Sequence, residues 1–143
     1  MQARAEKEAK KQAEKEVRGG TETILLVEDE MAVRTLTRNL LERYGYKVIE
    51  ADSGVTALAV WKKHRDQIKL VLTDMVMPGG LTGIGLMKKL NVAAPGLRAI
   101  YVSGYSADIV GKDFELREGI NFLQKPYPAR KLAQTIRWVL DQP

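Results

Sequence analysis

The chain alternates short apolar runs with stretches of helical periodicity, and that alternation limits its fold more than any other feature. The runs are Ile24-Leu25-Leu26-Val27, Lys47-Val48-Ile49-Glu50-Ala51, Leu70-Val71-Leu72-Thr73, Ala99-Ile100-Tyr101-Val102 and Ile120-Asn121-Phe122-Leu123-Gln124. Each is too short for a helix, and the run before Asp74 is closed by Pro and Gly, so it reads as a strand buried on both faces. Between them, Val33, Leu36, Leu40, Leu41 and Tyr44 predict one face of a first helix, which Gly45 stops. Ser53 caps a second helix carrying Val55, Leu58, Ala59 and Lys62, and a third runs through Leu86, Met87 and Leu90. A weaker fourth helix is expected over residues 107–112. Pro128 opens a last helix with Leu132, Ala133, Ile136, Val139 and Leu140 facing inward. Five βα units predict an α/β fold with a doubly wound five-stranded parallel sheet, because each right-handed crossover needs helices on the sheet faces.

Residues 1–20 differ from the rest. They are rich in Ala, Glu, Lys, Gln and Arg and end in Gly19-Gly20, with Ala5, Ala9, Ala13 and Val17 as a thin stripe. This segment reads as a helical or flexible linker, or as the tail of a longer coiled helix, and residues 21–143 read as the folded domain. The net charge is +5. Six Lys/Arg against four Asp/Glu fall in residues 1–20, and the remainder is spread along the domain, so no basic block points to nucleic acid. With no cysteine, disulfides, thiolate metal sites and thiol nucleophiles are excluded. No apolar stretch is long enough to cross a bilayer and no secretion signal opens the chain, so a cytoplasmic setting without membrane contact is expected.

Chemistry gathers where the runs end. The first delivers Glu28-Asp29-Glu30, the third Asp74, the fourth Ser103-Gly104 and the fifth Lys125-Pro126. In an open α/β sheet the C-terminal strand ends form the rim that binds ligands. Glu28, Asp29 and Asp74 would lie close there, which is unfavourable for like charges unless a cation sits among them. Oxygen donors suit a hard ion, with Mg²⁺ as the best fit and Mn²⁺ as a substitute. Acids at these places also serve as helix N-caps and first-turn residues, and Glu30 reads that way. Lys125 would pair with Asp74 at rest and with a phosphoryl oxygen once one is attached. Ser103 would donate a hydrogen bond to that oxygen. His64, beside Lys62 and Lys63, reads as a surface residue, and Trp61 and Trp138 as covers over helix–sheet seams.

The acidic pair after strand one, the Asp74-x-x-Met77-Pro78-Gly79 stretch, Ser103-Gly104 and Lys125-Pro126 together resemble the receiver domain of two-component response regulators. The resemblance covers about residues 23–140 and implies the flavodoxin-like strand order 2-1-3-4-5. It implies that Asp74 takes a phosphoryl group from a histidine kinase or a histidine phosphotransfer domain. By the same resemblance Asp29, Asp74 and the backbone carbonyl of Val76 bind Mg²⁺ directly, and Glu28 acts largely through water. Ser103 and Phe122 are the switch pair. Their motion repacks the face of the fourth helix, fifth strand and fifth helix that the family uses for downstream proteins. Val76 and Tyr105 occupy the positions that tune dephosphorylation.

The chain departs from the pattern in places. Glu28 stands where many members have Asp, the loop after Pro78 is one residue longer than the shortest family form, and Phe122 lacks a tyrosine hydroxyl. Val76 cannot orient an attacking water, so slow self-dephosphorylation is expected. The entry through Gly19-Gly20 also resembles receivers at the C-terminus of hybrid sensor kinases, tethered to a membrane sensor; a stand-alone regulator is the other context. Two rivals share the chemistry. One is a phosphohydrolase of the haloacid-dehalogenase type, which would carry a second Asp where Val76 stands. The other is a receiver-like binding module that works without phosphorylation.

Overall fold

The computed structural model describes Ala5 and residues 17–77, 79–105 and 115–143. The helix expected at residues 107–112, Pro78 and most of the 1–20 segment lie outside the described residues. Five strands form one parallel sheet: β1 (Thr23–Val27), β2 (Lys47–Ala51), β3 (Ile68–Asp74), β4 (Arg98–Ser103) and β5 (Phe122–Gln124). Their order is β2-β1-β3-β4-β5, the expected doubly wound arrangement. Among the described residues four helices surround it: α1 (Met31–Arg43), α2 (Gly54–His64), α3 (Gly83–Ala93) and α4 (Ala129–Leu140).

The period-2 geometry of a strand explains why the central runs are apolar throughout. In β1, Ile24 and Leu26 point to one core with Leu41, Leu70, Leu72, Ile100, Leu132 and Ile136. Leu25 and Val27 point to the other with Ala57, Trp61, Val71, Leu86, Leu90 and Phe122. Residues 24–27 are therefore buried on both sides, and helices must cover both. No helix among the described residues is long and apolar enough to cross a membrane.

Two helix faces differ from the sequence expectation, α1 at Leu36, with Leu41 buried as expected, and α2 by one position. On α1 the buried residues are Thr37 and Leu41, and Leu36 is exposed. On α2 they are Gly54, Ala57 and Trp61, and Val55 and Ala59 are exposed. Trp61 is the largest side chain on α2, and its burial in the seam with Ile68 sets the rotation of that helix. Gly54 follows from the same rotation, since a Cβ there would lie 2.8 Å from Leu81. Trp138 is not a seam cover: it stands exposed on α4. Strand β5 is shorter than expected, beginning at Phe122 rather than Ile120. Ser53 caps α2 by accepting from the Thr56 amide at 3.1 Å, as expected. Gly45, at φ +96°, ends the α1 turn in a conformation that other residues rarely adopt.

Candidate functional site

The lengths of β1 and β3 place the acids. Val27 pairs with Thr73 and Asp74 with Val102, so Glu28 and Asp74 leave neighbouring strands at nearly the same level. The Glu28 amide donates to the Ala51 carbonyl at 3.1 Å, holding the first acid to the sheet one residue beyond β1. After Asp74 the chain is pinned again. The Met75 amide donates to the Val102 carbonyl at 2.9 Å, and the Gly83 amide donates to the Met75 carbonyl at 3.0 Å. Met75 and Met77 are buried anchors, so Val76 between them faces solvent. Gly83 is required by this packing, because a Cβ there would stand 2.4 Å from the Asp74 carbonyl oxygen. That close approach brings the start of α3 against the strand end that carries Asp74.

Carboxylate oxygens of Glu28, Asp29 and Asp74 lie within 4.8 Å of one another. Into this group comes Lys125 from the end of β5. Its Nζ donates to Glu28 Oε1 at 2.6 Å and to Asp74 Oδ2 at 3.1 Å. The lysine side chain is 26% exposed, Glu28 5% and Asp74 12%, so these ion pairs are only partly screened by water. Burial alone would push the ammonium down, but the two carboxylates outweigh it and hold Lys125 above the ordinary lysine range. Asp29 moves in the unfavourable direction. Its hydrogen bond with Glu28, then burial, raises it above the usual aspartate range, and Lys125 only partly opposes this. Three carboxyls against one ammonium leave the group under-neutralised.

Ser103 is buried at the end of β4, and its Oγ accepts from the Tyr105 amide at 3.0 Å. The Ser103 carbonyl receives the Lys125 amide at 2.8 Å, so serine and lysine share a backbone link. Among the described residues no hydrogen bond joins Ser103 to Asp74. The Lys125–Pro126 peptide is cis. Phe122 is fully buried beside Tyr101, whose hydroxyl burial pushes up to about 12. Val76 and Tyr105 are 60% and 59% exposed.

Three features escaped the sequence. Glu28 bonds Lys125 directly. Arg34 reaches back from α1 to the Glu28 carbonyl at 2.8 Å. Behind the acids, Thr37 and Tyr127 join Glu28, Asp74 and Lys125 around a small cavity. Thr37, buried on the inner face of α1 one turn before Leu41, lines that cavity.

Comparison with known proteins gives one consistent answer. Residues 24–137 match the response regulator receiver domain model. The chain is 37% identical over 123 residues to the sensor kinase CckA of Brucella abortus, covering 86% of this chain but only 13% of that protein. It is 31% identical over 117 residues to the response regulator receiver protein CpdR of the same organism, covering 82% of this chain and 95% of CpdR. A crystal structure of the receiver domain of the hybrid histidine kinase CckA superposes with a TM-score of 0.69 at 34% identity, covering 83% and 99% of the two chains. The chain therefore belongs to the response regulator receiver family, the phosphoacceptor domains of two-component signalling that work with histidine kinase or phosphotransfer partners.

Proposed function

We propose that Asp74 is the phosphoacceptor of this receiver, and that Glu28, Asp29, Asp74 and the Val76 backbone carbonyl hold Mg²⁺, with Mn²⁺ as a substitute. The observation that carries this reading is the single ammonium of Lys125 shared between Glu28 and Asp74. Lysine and acids arrive from three separate strands, and the donor set is all oxygen, which suits a hard divalent ion. When bound, that ion offsets negative charge on the transferring oxygens.

The rest is done by the chain's own groups. An Asp74 carboxylate oxygen attacks the phosphorus of a phosphohistidine in line. The O–P bond forms as the P–N bond breaks, and the imidazole departs with that electron pair. Lys125, freed from one carboxylate, pairs with an oxygen of the incoming phosphoryl group. Ser103 exchanges its present role as acceptor of the Tyr105 amide for donation to the acyl phosphate. Phe122 follows as the buried half of the switch. The altered face, formed by β5, α4 and the helix expected at residues 107–112, meets a downstream protein rather than nucleic acid or membrane.

Residues 21–143 form this receiver, in a cytoplasmic setting, with residues 1–20 as its linker. The likeness to CckA favours a hybrid-kinase context. Val76 supplies no carboxyl to activate water, which favours a long-lived phosphoaspartate over phosphohydrolase turnover. The test is intact-mass measurement after incubation with Mg²⁺ and acetyl phosphate. One added phosphate on the parent and none on Asp74→Asn is the expected result. Equal labelling of both, or continuous phosphate release from many substrates, would overturn the reading.

A further inference from the structure

Arg34 stands one turn into α1, beside the acid site. Its described contacts include no carboxyl oxygen of Glu28, Asp29 or Asp74. Its Nη1 donates to the backbone carbonyl of Glu28 at 2.8 Å, and its Nε lies 3.4 Å from Glu50 Oε1 on β2. The side chain is only 18% exposed. Glu50 is itself held from a second side, by Arg38 Nη1 at 3.0 Å. Arg34 is thus a short strut between the sheet and the turn that carries the acids. The backbone of Glu28 is fixed at its amide as well, which donates to the Ala51 carbonyl at 3.1 Å. Both polar groups of Glu28's backbone are therefore tied, directly or through Arg34, to β2.

Such a restraint has a purpose at this position. The β1–β2 pairing ends with the Glu28 amide, and the carboxylate oxygens of Glu28 and Asp29 lie within 4.8 Å of that of Asp74. Mutual repulsion would swing an unrestrained turn outward, where Asp29 is already exposed. A cation placed among the carboxyls would relieve the repulsion but would also occupy the metal position. Arg34 acts from outside, and Glu50 answers its charge. We propose that Arg34 is a positioning residue: it anchors the Glu28–Asp29 turn so that both carboxyls meet Asp74 at the spacing a divalent cation needs. This inference rests on the metal reading above. A guanidinium suits the task because one planar fork reaches a carbonyl and a carboxylate together, which a lysine ammonium on its flexible stem does less well.

The test measures the turn with and without metal. In Arg34→Met, Mg²⁺ binding by isothermal titration falls about tenfold, the range for residues that orient ligands without touching the ion. Labelling by acetyl phosphate at saturating Mg²⁺ stays within about threefold of the parent, because Asp74 and Lys125 are untouched. In metal-free protein the Glu30 amide, which donates to Glu28 Oε2 at 3.3 Å, exchanges with deuterium about tenfold faster, and β4 amides do not change. Arg34→Lys gives intermediate values and serves if the methionine variant does not fold. Mg²⁺ affinity within twofold of the parent in a folded variant overturns the proposal. If the parent itself binds no Mg²⁺, the metal reading fails, and Glu30 exchange alone decides: faster exchange supports the anchor and unchanged exchange removes it.

Discussion

Two charged clusters sit at opposite ends of the sheet, and they are built on different terms. At the N-terminal end, Arg137 of α4 grips Glu22 through Nη2 at 2.7 Å and Nη1 at 3.1 Å, and Asp141 through Nη2 at 2.8 Å. Its Nη1 also donates to the Gly19 carbonyl at 3.2 Å, and Arg18 bonds Asp141. Two arginines answer two acids, so every charge has a partner inside the chain. At the C-terminal end, three carboxyls face one lysine. The first cluster is a joint that ties residues 18–22 to the last helix. The second carries more carboxyl than ammonium charge, which is what the proposed cation would offset. Charge balance, more than the number of ion pairs, separates structure from function here.

The largest expected effect comes from removing the shared ammonium. Lys125→Met should slow acetyl phosphate labelling of Asp74 by about 100-fold, the loss typical when one charge-stabilising donor is deleted. A mass time course under saturating Mg²⁺ checks this, and a change below threefold would dissolve the distinction between the two ends. The opposite cluster should behave in the complementary way. Arg137→Met should lower unfolding free energy by about 2 kcal/mol in urea, because it strips charge-assisted bonds from Glu22, and should leave labelling within twofold.

That joint also sets a pH window. Arg137 holds the Glu22 carboxyl down at about 2 against an ordinary 4.5. A carboxylate depressed on folding contributes stability that is full above its unfolded value and is lost as pH falls through the folded one. The parent should therefore lose this contribution between about pH 4.5 and 2. In Arg137→Met the same stretch of the stability–pH curve should be flatter, as urea midpoints across the window will show.

The joint and the acid site were not equally legible in the sequence. Asp74, Ser103 and Lys125 could be read because an apolar run of fixed length fixes where a strand ends, and parallel strands bring those ends to one rim. The Glu28–Lys125 bond could not, because it depends on how far a lysine from the edge strand β5 reaches across to β1. Nor could the Arg137 joint, whose partners are 115 residues apart and carry no local signal. Periodicity placed α3 and α4 correctly, missed α1 only at Leu36, and turned α2 by one residue. Leu36 and Val55 are apolar and were read as inward, yet tertiary packing gave those places to Thr37 and Trp61.

A smaller effect concerns how long the phosphoryl group stays. The exposed Val76 beside Asp74 offers attacking water no hydrogen-bond partner, so the phosphorylated parent should decay over minutes or longer. Val76→Asn, whose amide can hold a water, should shorten that lifetime about tenfold, since positioned groups assist hydrolysis by this order or more. Following loss of the mass adduct after donor removal measures both, and decay of the parent within seconds would contradict the account.

Thermal melting with and without Mg²⁺ tests the charge-balance claim most directly, because one experiment reads both ends. The hydrogen bond with Glu28, then burial, holds Asp29 above the usual aspartate range, so its ionisation weakens the metal-free fold. Asp29→Asn should then melt a few degrees above the parent without metal. On adding millimolar Mg²⁺ the parent and Glu22→Gln should rise by equal amounts, and Asp29→Asn should not rise at all. An equal Mg²⁺-dependent rise in Asp29→Asn would contradict the central claim that these acids form an under-neutralised cation site.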